Sequence, residues 1–339
     1  MDSEKKETPL AFKRVCVFAH FDALGIIDDY VIYYLQALRS LNSKLIFVST
    51  ALLQPNELTK INSIVDIALI KKNVGYDFGS WQYGLSDINL DDFDELLLCN
   101  DSCYGPIFNL EPIFQKMNSV ACDYWAMTHC RQIYPHLQSY FLVFKKNILN
   151  DPHFKSFWLN IQPQNSKIEY IIKYEIGLSK LLTELGYQGC SYLKTQLFLK
   201  DQIHILVHSL LRLPKTLLPQ VWFLFKRLLY LIGLKRFKRG AIDVAMAPYG
   251  PIIEAFKPNY THLFWILCLS RGIPFVKVEL LKANPLKLFV GVSEIQNRVV
   301  KRSYFNFDLI RSHLKRMNDL STSNYENKDY LFENRSNNS

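Results

Sequence analysis

Short apolar runs alternate with stretches of helical spacing through the first two hundred residues. Val15–Ala19, Lys44–Ser49, Ile67–Ile70 and Glu95–Cys99 are near-continuous apolar runs of strand length. A strand without polar alternation is buried on both faces, the signature of a parallel sheet covered by helices. Between the runs, Asp28–Leu41 places Val31, Tyr34, Leu35 and Leu38 on one helical face, with Asp28 and Asp29 suited to its start. A second helix is expected over Asn56–Val65 after Pro55, and a third after Pro112. Further strands are expected at Tyr124–Thr128 and Ser139–Phe144, and a helix at Glu175–Leu185 closed by Gly186. This order predicts an α/β fold with a mostly parallel central sheet. Ile273–Leu281 reads as a strand or short extended segment, and from about Asn318 the Asn- and Ser-rich tail reads as disordered.

Residues 200–240 break the rhythm. They are dense in Leu, Phe and Trp, and hold nine basic residues against one acidic, so this stretch carries +8 of the chain's +9. Lys226 and Arg227 fall in the middle of its apolar run, which makes a membrane-spanning helix costly. A basic amphipathic helix lying in the membrane interface fits better, with Trp222, Lys226, Arg227, Lys235, Arg236, Lys238 and Arg239 meeting anionic lipid. The competing reading is a core helical hairpin with its basic residues on a solvated face. The near-neutral remainder argues against wrapping nucleic acid. The seven cysteines form no C-x-x-C pair and read as reduced thiols of a cytoplasmic protein, and no signal peptide is visible at the start.

Three polar clusters sit at strand ends, where open parallel sheets bind ligands. The first is Asn73-Val-Gly75-Tyr-Asp77-Phe-Gly79. It is either a phosphate- and sugar-binding helix start or a plain turn with Asp77 as helix cap. The second is Asn100-Asp101-Ser102, directly after the fourth strand. Its oxygens suit Mg²⁺ or Mn²⁺ bridging a diphosphate, while the simpler reading is a turn before Gly105-Pro106. The third joins His136, Gln138 and Ser139 with Glu175. Glu175, read as lying in a first helical turn, either stabilises the helix dipole or deprotonates an acceptor hydroxyl. His20 and His262 join His136, Gln138 and Ser139 as candidate substrate contacts. There is no G-x-x-x-x-G-K-[ST], G-x-S-x-G, H-E-x-x-H, or G-x-G-x-x-G after the first strand.

The ordered strings NVGYDFGSWQYGL, LLLCNDSCYGPI, HLQSYFLVF, YEIGLSKLL and NYTHLFWILCLSRGIPFVKVELLKANP resemble the rhamnan synthesis protein F family from about Arg14 to Pro285. The resemblance implies a GT-A-like nucleotide-sugar fold, with a catalytic core at 14–199, the basic segment at 200–240, the rest of the catalytic domain at 241–317 and a tail at 318–339. It implies a glycosyltransferase of bacterial surface polysaccharide synthesis, such as O-antigen assembly. The enzyme would move L-rhamnose from a dTDP-sugar donor onto a lipid-linked glycan, peripherally bound at the cytoplasmic membrane face. Asn73, Gly75 and Asp77 then fall where such folds contact the nucleotide sugar, and Glu175 where an inverting enzyme keeps its base. Asn100-Asp101-Ser102 replaces Asp-x-Asp with a single carboxylate. Either Asp101 holds a Mg²⁺ or Mn²⁺ ion, or basic side chains neutralise the leaving diphosphate. A non-catalytic glycan- or membrane-binding subunit is the alternative.

Overall fold

Alternate residues of the first apolar run face opposite ways, and both sets are apolar. Val15, Val17 and Ala19 enter one core, and Cys16 and Phe18 the other. In a computed structural model, which describes residues 12–130, 133–193, 260–284, 288 and 290–319, this run is strand β1 (Arg14–His20) at the middle of the sheet. It pairs in parallel with β2 (Lys44–Ser49), and β2 with β3 (Ile67–Ile70). On its other side lies β4 (Glu95–Asn100), also parallel. A two-residue strand, β5 (Cys103–Tyr104), follows. Then come β6 (Tyr124–Ala126), the small ladder of β7 (His129–Cys130) with β8 (His136–Leu137), β9 (Phe141–Lys145) and β10 (Gly189–Ser191). The seven-stranded sheet runs β10-β6-β9-β4-β1-β2-β3. Only β9 is reversed, lying antiparallel to both β4 and β6. The mostly parallel α/β fold expected from the sequence is the one observed.

Helices cover both faces. α1 (Asp29–Arg39) and α3 (Glu111–Asn118) bury Tyr34, Leu38 and Phe114 against one side. The other side is covered by α2 (Tyr76–Leu85), α4 (Lys146–Leu149), α5 (Pro152–Leu159), α6 (Lys167–Tyr170) and α7 (Gly177–Glu184). At Gly84 a Cβ would lie 2.5 Å from Val17 and 2.9 Å from Val48, so only glycine lets α2 sit this close to the sheet. α7 ends in a Schellman closure, with Gly186 donating to the Thr183 carbonyl and Tyr187 to that of Leu182. Gly186 therefore ends the helix as its position in the sequence suggests.

Downstream residues return to the same body. α8 (Tyr260–Leu263) and α9 (Trp265–Ser270) precede β11 (Val276–Lys277), which pairs antiparallel with β5 and leads into α10 (Val278–Lys282). α11 (Val292–Val299) and α12, residues 308–319, complete the fold.

Three expectations need correction. The helix over Asn56–Val65 is a 3₁₀ turn at Leu58–Lys60 among further turns. Most of its bonds span three residues, and the Glu57 carboxylate is drawn back to the Ile27 N–H at 2.6 Å and to Lys60. Ser139 and Tyr140 form a turn before β9, because Ser139 gives its N–H to a side chain instead of a strand. Ile273–Leu281 is extended only as far as Lys277, and α10 takes over. α12 reaches Asp319, and the rest of the tail expected from about Asn318 lies outside the described residues. The basic segment at 200–240, with Trp222, Lys226, Arg227, Lys235, Arg236, Lys238 and Arg239, lies outside the described residues. No helix among the described residues is long and apolar enough to cross a membrane.

Candidate functional site

Six of the seven strands point their carboxyl ends to one edge, and the reversed β9 begins there. Phe141 pairs with Cys99, so the Gln138-Ser139-Tyr140 turn lies beside the Asn100-Asp101-Ser102 segment. A cavity of about 660 Å³ opens at this edge, within the usual size of small-molecule sites. Asp77, Asn100, Asp101, Ser102, Gln138, Ser139, Glu175 and His262 all line it.

Asp77 owes its direction to Gly75, whose φ of 102° is left-handed and opens α2. A Cβ at Gly75 would lie 2.7 Å from Gly79 Cα, so this pair of glycines is a steric requirement of the turn. Asp77 is not the helix cap. It accepts a 2.8 Å hydrogen bond from Asn100 Nδ2 instead. Burial pushes its carboxyl above the usual range, opposed by Lys277, Asn100 and Lys167 and aided by Glu175.

Asn100 and Ser102 bind each other. Asn100 Oδ1 accepts from the Ser102 hydroxyl at 2.6 Å and from its N–H at 3.2 Å. The turn reading therefore holds for these two, while Asp101 alone presents a carboxyl. That carboxyl accepts the Phe21 N–H at 2.8 Å. Burial raises its pKa to about 8, with Asp77 and Asp22 adding to the rise and the Phe21 bond opposing it.

Glu175 is not in a first helical turn. The helix starts eight residues earlier, at a capping box in which Ser166 accepts from the Glu169 N–H and donates to its carboxylate. It then widens into a π turn over Ile171–Ile176. Such wide turns redirect side chains and recur at functional sites. Here the turn leaves Glu175 Oε1 2.8 Å from the Ser139 N–H, half-buried in the cavity wall.

Other candidates lie elsewhere. His20 is buried off the cavity, its Nδ1 3.0 Å from Ser49 Oγ, and burial lowers its pKa to about 4. His136 is buried too, with Nδ1 2.7 Å from the Tyr134 carbonyl. Asn73 is exposed and does not line the cavity, and Gly75 serves the turn. Residues that sequence reasoning missed come from long range. Lys167, Lys277 and Lys282 line the cavity. Lys277 alone carried a visible sign, the one basic residue inside the apolar run Ile273–Leu281. From α12, His313 Nδ1 sits 2.6 Å from Tyr104 Oη, and Arg316 bridges Asp22, at 2.7 Å, and Asp28.

As for a metal, Asn100 and Ser102 have spent their oxygens on each other, and an ammonium, Lys277, donates to Ser102 Oγ. Among the described residues no three or more His, Cys, Asp and Glu side chains are grouped to hold a metal ion. This donor set does not fit a dedicated Mg²⁺ or Mn²⁺ site.

The chain is similar to the virulence protein VirA of Vibrio anguillarum, 26% identical over 242 residues, covering 69% of this chain and 67% of that protein. It is 25% identical over 159 residues to the uncharacterized protein y4gN of Sinorhizobium fredii, covering 45% and 42%. Among solved structures, a putative nucleotide-diphospho-sugar transferase from Desulfovibrio desulfuricans G20 overlaps 52% of this chain and 78% of its own, at 10% identity and a TM-score of 0.30. The apo-form glycosyltransferase GlyE of Streptococcus pneumoniae TIGR4 overlaps 53% and 45%, at 15% identity and a TM-score of 0.32. Overlaps of that quality assign no activity. A family model matches residues 45–236, more than half of the chain, and by that match the protein belongs to the rhamnan synthesis protein F family.

Proposed function

We propose that this protein is a glycosyltransferase that moves a deoxyhexose, L-rhamnose from dTDP-rhamnose, onto a lipid-linked glycan during surface polysaccharide synthesis. The observation that carries the reading is the meeting of Asp77, Asp101 and Glu175, from three separate elements, in one cavity at the sheet's carboxyl edge. Family membership supports the sugar chemistry.

In this scheme an acceptor hydroxyl attacks the anomeric carbon from the face opposite the nucleotide. The new C–O bond forms as the bond to the diphosphate breaks, and Glu175 takes the hydroxyl proton, so configuration inverts. The Ser139 N–H fixes the carboxylate through Oε1 and leaves Oε2 for that proton. Asp77 accepts from sugar hydroxyls while Asn100 holds its orientation. Asp101 is largely protonated at neutral pH, so it meets a donor oxygen as a hydrogen-bond donor and not as a repelling charge. Tyr76, which stacks edge-on to Tyr170 at 5.0 Å, gives the sugar or base an aromatic wall. The basic residues of 200–240 hold the enzyme to anionic lipid at the cytoplasmic face, at about 1 kcal/mol each near the surface.

A thermal-shift and calorimetric screen of nucleotide sugars tests the donor. Glu175→Gln is expected to keep donor binding and lose transfer by roughly 10²–10⁴-fold, the usual contribution of a positioned base. A folded protein that binds no nucleotide sugar would instead be the non-catalytic subunit.

A further inference from the structure

Five basic side chains of the cavity have no part in the scheme above: His262, Lys277, Lys167, Lys282 and His313, the last already paired with Tyr104. Lys277 is the most fixed. Its strand β11 pairs with Cys103, its Nζ donates to Ser102 Oγ at 3.0 Å, and the ammonium lies 4.2 Å from the centroid of the Tyr140 ring. Lys167 stands at the start of α6, and with Lys277 it acts electrostatically on both Asp77 and His262. The three groups therefore share one neighbourhood.

His262 supplies the second, independent sign. It is 8% exposed, and its Nε2 is buried without a hydrogen-bond partner. The nearest carboxylate oxygen, Glu279 Oε2, lies 3.8 Å away, beyond hydrogen-bond distance. Native folds rarely leave a buried ring nitrogen unused, because its desolvation goes uncompensated. An imidazole with its proton on Nε2, facing a cavity that also holds the ammonium groups of Lys167, Lys277 and Lys282, is complementary to one class of ligand: a polyanion rich in acceptor oxygens. Lysines meet phosphate as point charges. Exposed Lys282 lies outside the three-group core.

We propose that Lys277, Lys167 and His262 form the subsite for the donor's diphosphate and neutralise it without a divalent cation. The proposal rests on the glycosyltransferase reading and deepens it. When the glycosidic bond to the diphosphate breaks, the leaving group gains one negative charge, and the two ammonium groups with the His262 N–H receive it. Ser102 holds the Lys277 head in place beforehand. The single carboxylate in Asn100-Asp101-Ser102 follows from this arrangement, since a second one there would compete with the diphosphate for Lys277.

The test is calorimetry on the full chain with dTDP, UDP and inorganic pyrophosphate, in EDTA and again in Mn²⁺. Expected is binding of a nucleoside diphosphate in EDTA within about threefold of its affinity in Mn²⁺. Lys277→Met and His262→Gln should each weaken it by about 10- to 100-fold, the loss of one charge-assisted hydrogen bond. Lys277→Arg should recover much of that loss, which also shows that the methionine variant did not simply misfold. Binding only in Mn²⁺, or binding indifferent to Lys277 and His262, overturns the subsite while leaving the nucleotide-sugar reading intact. Pyrophosphate binding that depends on Lys277, with no nucleotide or nucleotide sugar bound, supports the subsite and removes that reading. No binding of any probe removes both.

Discussion

Strands β1 and β4 run side by side, yet their two ends treat charge in opposite ways. At the amino end, Arg14 and Glu95 are both buried and close on each other, Nε to Oε2 at 2.8 Å and Nη2 to Oε2 at 2.6 Å. Arg14 also donates to the Leu41 carbonyl and lies 3.9 Å from the Phe114 centroid. At the carboxyl end, Asp101 and Asp77 crowd into one cavity with their pKa values pushed up, and His262 keeps an unused nitrogen. The amino end is finished by the protein itself, and the carboxyl end waits for something to finish it. Conflict between burial and charge marks a functional site when it gathers in a hollow and a structural ion pair when it closes on itself.

The largest effect should appear at the closed end. Arg14→Met leaves Glu95 buried without its partner and should cost about 3–5 kcal/mol in denaturant unfolding. Adding Glu95→Leu should restore most of it. If the single variant loses less than about 1 kcal/mol, the contrast between the ends fails.

A pH series probes the layer just beneath the open end. His20 stays neutral in the fold down to about pH 4, whereas in the unfolded chain it takes up a proton near its ordinary 6.5. The unfolded state therefore binds more protons in that window, and stability falls as pH drops from 6.5 toward 4. The share from His20 is on the order of 3 kcal/mol. His313, also held down to about 4 by burial and Arg316, adds a parallel loss. Unfolding midpoints of His20→Asn should show a shallower slope there, and an unchanged slope would exclude His20 as a source.

The smallest effect carries the opposite sign. Asp101→Asn keeps an acceptor for the Phe21 N–H and removes a carboxyl that burial disfavours. Thermal unfolding at pH 7 should show a gain of about 1 kcal/mol, the usual scale at sites kept for function, together with lost transfer. A loss of similar size would place Asp101 among the structural residues.

Local pattern made the sheet legible, because every central strand is buried on both faces and reads as an unbroken apolar run. The strand-end clusters were legible for the same reason, as polar groups stand out where such runs stop. What local pattern could not carry was direction. Ser139 looked like strand until Glu175 claimed its N–H, and Glu175 looked like a helix start because the π turn hides in an ordinary helical sequence. His20 looks like a site residue, but it pairs with Ser49 out of reach of the cavity. Lys277 and Lys167 meet Asp77 across 200 and 90 positions of the chain, a nearness that no local pattern shows.

The pairing of β11 with β5 has one more consequence. It stitches positions 276–277 onto 103–104, so both flanks of the long basic stretch are anchored in one frame. The same pairing sets Lys277 beside Ser102, residues 175 positions apart in the chain.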